Sequence, residues 1–562
     1  MSLNNILQRS ELGRVLAGFR REFWTAGFFS LVVNSLLLTP TLYMLQLYDR
    51  VMVSSSELTL VAVSMIALFL LAFMAMAEWG RSRLLIQAGV RLDKLVSARI
   101  FNASFSASLN QSVKNPAGVF NDFTQIRQFL TGSGILTFFD APWTLIYLAA
   151  LFFLHYWLGI LALVFMVLQA ALAWWGQRHT VAPAEVANSS LTEVNGFLQA
   201  KIRNVEVLEA MGMLPKLQAH WATRQADYLA KSSFSQSQTQ RITSWSKFLR
   251  YSQQSLALGA GALLVIDGQV TAGAMIASNV LMSRALAPID QMVGLWRVTA
   301  GVKAAYARIE SLLKTHPPIS NGEGLTVTPG DLLLRNVVAT AEARDEPILN
   351  NLSLQLPLGQ ILVVLGPSGS GKSTLARIMV GVWPQFTGEV LWGGIPLADM
   401  DRLAGGHQIG YLPQDVELFD GSIAENIARF GEIAPKMVID AATSTGLHEM
   451  ILRLPKGYDT PMGEAGSLLS AGQRQRIALA RAVYGKPSLL VLDEPNANLD
   501  EAGELALARS VQEFKAMGKT VVLVSHRTSV LALADRVLVL RDGTVHYEGP
   551  LDDEMRRTRS YL

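Results

Sequence analysis

Apolar residues follow two different rhythms along this chain. In roughly the first 290 residues they run in blocks of about 20, the length that crosses about 30 Å of hydrocarbon at a helical rise of 1.5 Å per residue. These blocks lie near residues 23–47, 58–77, 136–154, 157–175, 250–266 and 271–290. The second is the cleanest, since LTLVAVSMIALFLLAFMA carries no charge. The last two are weaker: LALGAGALLVI is short and glycine-rich, and AGAMIASNVLMS is only moderately apolar, a pattern that a buried helix of a soluble core also shows. In the remainder of the chain, short β-type runs such as ILVVLG (361–366), SLLVLD (488–493) and TVVLVS (520–525) alternate with helical stretches. Near-continuous apolar strands separated by helices predict a mostly parallel, buried sheet.

Charge separates the same two regions. Residues 1–310 hold 25 Lys and Arg against 16 Asp and Glu, net +9, while residues 311–562 hold 23 against 29, net −6. Basic residues collect on alternate loops, as they do on the cytoplasmic side of membrane proteins. The N-terminal tail carries Arg9, Arg14, Arg20 and Arg21, and the loop after the second block carries Arg81, Arg83, Arg91, Lys94, Arg99, Lys114 and Arg127. Nine more basic residues, from Arg178 to Arg250, follow the fourth block. Six spans with both termini cytoplasmic fit this distribution, so the positive half is a topology signal and not a nucleic-acid footprint. The basic loops show helical periodicity, for example at Leu84, Leu85, Ala88, Leu92, Leu95 and Val96. Helices that continue well beyond the bilayer are expected.

The segment THPPISNGEGLTVTPGD, around 315–330, is rich in Pro, Gly and polar residues and reads as a linker. It divides the expected organisation into a short tail (1–22), a six-helix membrane domain (23–314), the linker (315–330) and an α/β domain (331–562). The first apolar block is too long for a cleavable signal peptide and lacks a small-residue cleavage site. With 50% hydrophobic and 17% charged residues, composition agrees with a large lipid-facing surface. The chain has no cysteine, which excludes disulfide frameworks, thiolate metal sites, iron–sulfur clusters and cysteine-protease chemistry.

Chemistry concentrates in the second half. GPSGSGKST (366–374) lies between the strand ILVVL and the helical LARIMVGV, the context that a GxxxxGK[ST] phosphate loop requires. Backbone N–H groups across Gly366, Ser368, Gly369, Ser370, Gly371 and Thr374 are placed to cradle phosphates, Lys372 to reach the β and γ oxygens, and Ser373 to ligate Mg²⁺. About 120 residues later SLLVLDEP ends a strand in two acids: Asp493 for the Mg²⁺ shell and Glu494 to orient or deprotonate an attacking water.

Between them LLSAGQRQRIALARA (468–482) resembles the signature segment LSGGQ of ABC transporters. Ser470, Gly472 and Gln473 match it, and Ala471 stands where the family has glycine. Other segments similar to the family follow in its order: Gln414 in YLPQD as the glutamine that joins the metal site to the membrane domain, Asp500 in NANLD, and His526 in VLVSHR at a strand end. Gly463 and Glu464 stand where exporters carry a short segment touching the membrane helices. The resemblance implies that ATP and Mg²⁺ are bound, that Gln414 shares in the metal site, and that Ser470, Gly472, Gln473 and Asp500 face an ATP held by the other subunit of a dimer. The aromatic residue on which family members stack adenine is missing from LRNVVATAEARDEP (334–347).

Two membrane-half stretches, YMLQLYDRVMVSS (43–55) and FFDAPWTLIYLAALFFLHYWLG (138–159), look like the type I secretion exporters of the PrtD type, as does NANLD. This resemblance implies a homodimer in a bacterial inner membrane. It also implies export of proteins with an uncleaved C-terminal signal, together with a periplasmic membrane-fusion adaptor and a TolC-like outer-membrane channel. Contacts between the halves are expected near 112–120 and 212–220, beside Gln414. The absence of Cys separates the chain from relatives with an N-terminal cysteine peptidase. Export of lipids or hydrophobic small molecules uses the same ATPase residues and remains the alternative, with an ATP-gated channel or a soluble DNA-acting ATPase as more distant ones. Asp49, Arg50 and Asp140 are expected at helix ends and are not assigned to substrate.

Overall fold

The computed structural model describes residues 10–109, 118–202, 204–317, 328–341, 346–400, 406–463, 466 and 469–551. Most of the 112–120 contact segment, part of the linker, and Glu464 lie outside them. The chain forms two units that divide near residue 318.

The N-terminal unit is helical. Its first apolar block forms the helices Arg20–Leu36 and Thr39–Gln46, the second with a proline in its first turn, where the missing N–H costs nothing. A π-helical turn, Leu47–Val51, follows. Asp49 in that turn accepts hydrogen bonds from Thr271 Oγ1 at 2.5 Å and Gly273 N at 2.8 Å. It therefore caps the start of the last helix, Ala272–Thr315. This is a structural task at a helix end, as expected from the sequence.

Four described helices are far longer than a bilayer is thick: Glu57–Leu109 and Leu214–Ile266 have 53 residues each, Tyr156–Ile202 has 47 and Ala272–Thr315 has 44, the longest being about 80 Å. In the first of these only 11% of the apolar window is buried within the protein, so the rest faces outward. The third apolar block is interrupted after Asp140, where Ala141 and Pro142 separate Ser133–Asp140 from Trp143–Leu154. Five described helical segments are long and apolar enough to cross a membrane; the block at 250–266 is not among them. It forms the end of Leu214–Ile266, and its polar Gln253 is fully buried in this unit. There Ala257 joins Tyr147, Leu151, Phe165, Leu281 and Met282 in one apolar cluster.

A buried polar group sits beside that cluster. Arg81 donates to Ser30 Oγ at 2.8 Å and to Asp140 Oδ1 at 3.2 Å. Asn34 donates to the same Asp140 oxygen at 2.7 Å and accepts from Tyr147. Asp140 is thus a tie between helices.

The C-terminal unit contains two sheets. Strands β1 (Leu332–Ala339), β2 (Leu349–Leu356), β3 (Ile361–Leu365), β4 (Phe386–Trp392), β5 (Ile395–Pro396), β6 (Ile409–Leu412), β7 (Leu489–Asp493), β8 (Thr520–Val524), β9 (Arg536–Arg541) and β10 (Thr544–Pro550) follow in chain order. The larger sheet has the order β10-β9-β3-β8-β7-β6, parallel except for β10. Its central strands β3, β7 and β8 are buried at every position. Both faces are covered: Ile361, Val363 and Leu365 point into one apolar cluster, Leu362 and Val364 into the other. The smaller sheet, β2-β1-β4-β5, is antiparallel.

Candidate functional site

The parallel strands all end on one edge of the large sheet, where crossover connections open a crevice. The phosphate loop follows β3, Gln414 stands two residues after β6, Asp493 closes β7, and His526 stands two residues after β8. Sequence-distant residues therefore meet. Ser373 Oγ lies 3.4 Å from Gln414 Oε1, Gln414 Nε2 donates to Glu494 Oε2 at 3.3 Å, and His526 Nδ1 lies 3.5 Å from Glu494 Oε1.

The loop after β3 is shaped by glycine. Gly366, Gly369 and Gly371 have φ of 152°, 84° and 96°, values that side-chain-bearing residues rarely adopt. A Cβ on Gly366 would come within 2.3 Å of the Leu540 carbonyl oxygen, and one on Gly371 within 2.6 Å of Leu349 Cδ2. The helix Lys372–Met379 then starts directly behind the loop, so its free N–H groups and dipole favour an anion in front of it. Lys372 is buried and donates to the carbonyls of Gly366 and Pro367, both at 2.8 Å. Burial pulls its pKa down, while Glu494 and Asp493 counteract the fall.

Asp493 supplies the strongest indication of a cation. Both of its carboxylate oxygens are buried without a hydrogen-bond partner, a state that costs several kcal/mol unless a cation compensates it. Burial pushes its pKa up; Ser373, Arg377 and Lys372 oppose the rise and Glu494 adds to it. A hard divalent ion with oxygen ligands suits this carboxylate, the Ser373 hydroxyl and the Gln414 carbonyl oxygen. Glu494 has φ of +47°, a conformation that persists in a non-glycine residue only where its surroundings hold it.

Ser470, Gly472, Gln473 and Asp500 belong to a second group. Ser470 caps the helix Ala471–Val483 in a reciprocal box with Gln473, through hydrogen bonds of 2.9 and 3.3 Å. Ala471 is its first helical residue and does not share the positive φ of the glycines. The methyl group therefore fits. At Gly472 a Cβ would lie 2.8 Å from the Asn498 carbonyl oxygen. Asp500 accepts from Gly503 N at 2.8 Å and pairs with Arg476.

Gln475 escaped the sequence reading. It is 1% exposed and joins the two groups, donating to the carbonyls of Glu494 at 3.5 Å and Pro495 at 3.3 Å. Its signal was a polar residue on the helix face that also carries Ala478, Leu479 and Ala482. Arg377, which acts on Asp493 by charge, was also missed; it follows Ser373 by one helical turn.

Of the aromatic-free segment 334–347, the described residues 334–341 and 346–347 contribute no ring, and 342–345 lie outside the description. Gly463 has φ of 69°.

Comparison with known proteins places this geometry. Residues 349–497 match the ABC transporter family model, and residues 23–288 match that of the ABC transporter transmembrane region. A type I secretion system ATP-binding protein, PrsD of Rhizobium meliloti (strain 1021), is 39% identical over 94% of this chain and 92% of its own. The chain belongs to the ABC transporter family, among the type I secretion ATP-binding proteins. It is also 28% identical to the leukotoxin translocation ATP-binding protein LktB of Mannheimia haemolytica, over 94% of this chain and 76% of LktB. The toxin RTX-I translocation ATP-binding protein of Actinobacillus pleuropneumoniae is 28% identical over 91% and 73%. A bacterial Atm1-family ABC exporter solved with ATP bound has the same fold, with a TM-score of 0.82 and 23% identity over 97% of each chain. This ABC exporter thus hydrolyses ATP to drive transport, and its membrane half is the helical domain of that family.

Proposed function

We propose that the chain acts as a homodimer in a bacterial inner membrane, with both termini and the ATPase unit cytoplasmic. There it exports proteins that carry an uncleaved C-terminal signal, through a periplasmic adaptor and a TolC-like outer-membrane channel. Similarity to PrsD, LktB and the RTX-I exporter over more than nine-tenths of the chain supports protein cargo over lipids or small molecules. The proposed division remains a tail (1–22), a membrane domain (23–314), a linker (315–330) and a nucleotide-binding domain (331–562).

In this reading the N–H groups from Gly366 to Thr374 and the Lys372 ammonium hold the ATP phosphates. Asp493, Ser373 and Gln414 would hold Mg²⁺, and the ion would supply neutralising charge at the phosphate oxygens. Glu494 accepts a proton from the attacking water, His526 orients the Glu494 carboxylate and the γ-phosphate, and Gln414 senses whether both are in place. Ser470, Gly472, Gln473 and Asp500 engage the ATP of the partner subunit. ATP binding closes the two ATPase units only by binding the closed form more tightly than the open one. Hydrolysis then removes that preference.

The observation that carries this reading is the contiguous chain Ser373–Gln414–Glu494–His526 around a buried Asp493 whose carboxylate oxygens have no hydrogen-bond partner. ATP turnover by the purified full-length protein tests it. Glu494→Gln is expected to keep ATP binding and lose about 10²-fold or more of turnover. Unchanged turnover would remove Glu494 as the base. Secretion of a C-terminally signalled protein by cells supplying the adaptor and channel tests the cargo; no secretion with intact ATPase would sink the protein-export reading.

A further inference from the structure

Two long helices of the membrane domain carry the same exposed device one helical turn deep. In Glu57–Leu109 the Arg83 guanidinium lies over the Trp79 ring, 5.3 Å from its centroid. In Tyr156–Ile202 the Arg178 guanidinium lies 3.9 Å from the Trp174 centroid. Trp79 and Trp174 are 64% and 55% exposed, and Trp24, at the start of the first apolar helix, is 80% exposed. Beside Trp174, Trp175 packs on His179 with centroids 5.1 Å apart.

Depth gives these pairs a meaning. Trp79 lies 22 residues from the start of its helix and Trp174 lies 18 from the start of its own, about 33 and 27 Å along the axis. Both distances match one hydrocarbon thickness, which puts each tryptophan at the headgroup level where its amphipathic ring is favoured. The side is the one that the basic loops assign to the cytoplasm. Arg81, two residues before Arg83, is buried and spent on Asp140 and Ser30. Arg83 and Arg178 are exposed and form no ion pair among the described residues. A guanidinium laid on an aromatic face keeps its N–H edge free, and that edge matches a phosphate oxygen pair.

We propose that Trp79–Arg83 and Trp174–Arg178 are two binding sites for anionic phospholipid: the arginine edge takes the headgroup phosphate and the tryptophan ring packs against the glycerol and upper acyl chain. This rests on the membrane orientation proposed above and is independent of the ATPase assignments. The sites would select phosphatidylglycerol or cardiolipin over a zwitterionic lipid, because neutral headgroups offer no net charge to the two unpaired cations.

The test is lipid retention by the full-length dimer, read by native mass spectrometry after solubilisation from bilayers of mixed phosphatidylcholine and phosphatidylglycerol. Brominated versions of each lipid give a second readout, through quenching of tryptophan fluorescence. Wild type should retain phosphatidylglycerol in preference, and that preference should fall about fivefold for each of Arg83→Gln and Arg178→Gln, the weight of one cation at an anionic leaflet. Arg50→Gln removes the same charge at the opposite end of a span and should leave the preference intact. An equal fall in Arg50→Gln, or no preference in wild type, overturns the proposal. So does displacement of the retained lipid by excess inorganic phosphate, which would make the site one for free phosphate. Should a glutamine variant fail to fold, Arg83→Lys and Arg178→Lys keep the charge without the planar edge and are expected to lose part of the preference; full retention in both would argue against recognition by the guanidinium.

Discussion

Gln475 Nε2 donates to the Pro495 carbonyl at 3.3 Å and to the Glu494 carbonyl at 3.5 Å, from a side chain that is almost wholly buried. The helix behind the Ser470 segment thereby grips the backbone of a residue held at φ +47°. Gln475→Met keeps the volume and removes the donor. A misplaced base by a fraction of an ångström costs rate more than binding, so kcat for ATP is expected to fall about tenfold or more with KM within about twofold. In the Glu494→Gln background the same change should cost little further. If the two losses simply multiply, Gln475 does not act through Glu494.

The Asp500 carboxyl is held below the usual carboxylate range, first by the Gly503 N–H and then by Arg476. A group whose pKa is lowered on folding stabilises the fold above its unfolded pKa and loses that contribution as pH falls through the folded value. Asp500→Asn keeps the cap oxygen and removes the charge. The variant should unfold earlier than wild type at neutral pH, and the gap should close on acidification below about pH 4. A gap that stays constant with pH would mean that the charge of Asp500 does not stabilise the fold.

The legible parts of the sequence were those where one physical demand dominates. Strands β3, β7 and β8 are buried on both faces, so their unbroken apolar runs could be read directly, and the glycines after β3 are enforced by positive φ and by the Leu540 carbonyl. The antiparallel sheet was not read: β1 and β2 bury only alternate positions, interrupted by Asn336, Asn350 and Asn351, which dilutes the pattern. The block at 250–266 shows the reverse case. A buried Gln253 and adjacent Gln254, bonded to Ser283, lower its hydropathy because one side of it packs on other helices. Gln475 was invisible because its meaning depends on carbonyls some 20 residues away that only the fold brings under it.

Arg81 and Asp140 are expected to behave as a pair. Their 3.2 Å contact is buried on the arginine side, with 5% of that side chain exposed. Asp140→Leu leaves a cation among apolar helices and should cost about 3 kcal/mol or more. The double change Arg81→Leu with Asp140→Leu should recover part of that loss, because no uncompensated charge is left. Thermal unfolding of the detergent-solubilised protein measures both. Additive losses would show that the two residues stabilise the domain independently.

Positions 471 and 472 distinguish what the family's small-residue signature requires here. Ala471 begins a helix and tolerates its methyl group, so Ala471→Gly relieves no strain and should cost only about 1 kcal/mol of local helix stability. ATP turnover of that variant is expected to stay near wild type. Gly472 faces the Asn498 carbonyl oxygen, which an added Cβ would meet at 2.8 Å. The oxygen is backbone, so the helix must withdraw from the segment that leads from Glu494 to Asp500. Gly472→Ala is therefore expected to reduce turnover about tenfold or more while ATP binding to the Lys372 loop persists. Equal turnover in the two variants would mean that the close approach at Gly472 has no part in the chemistry.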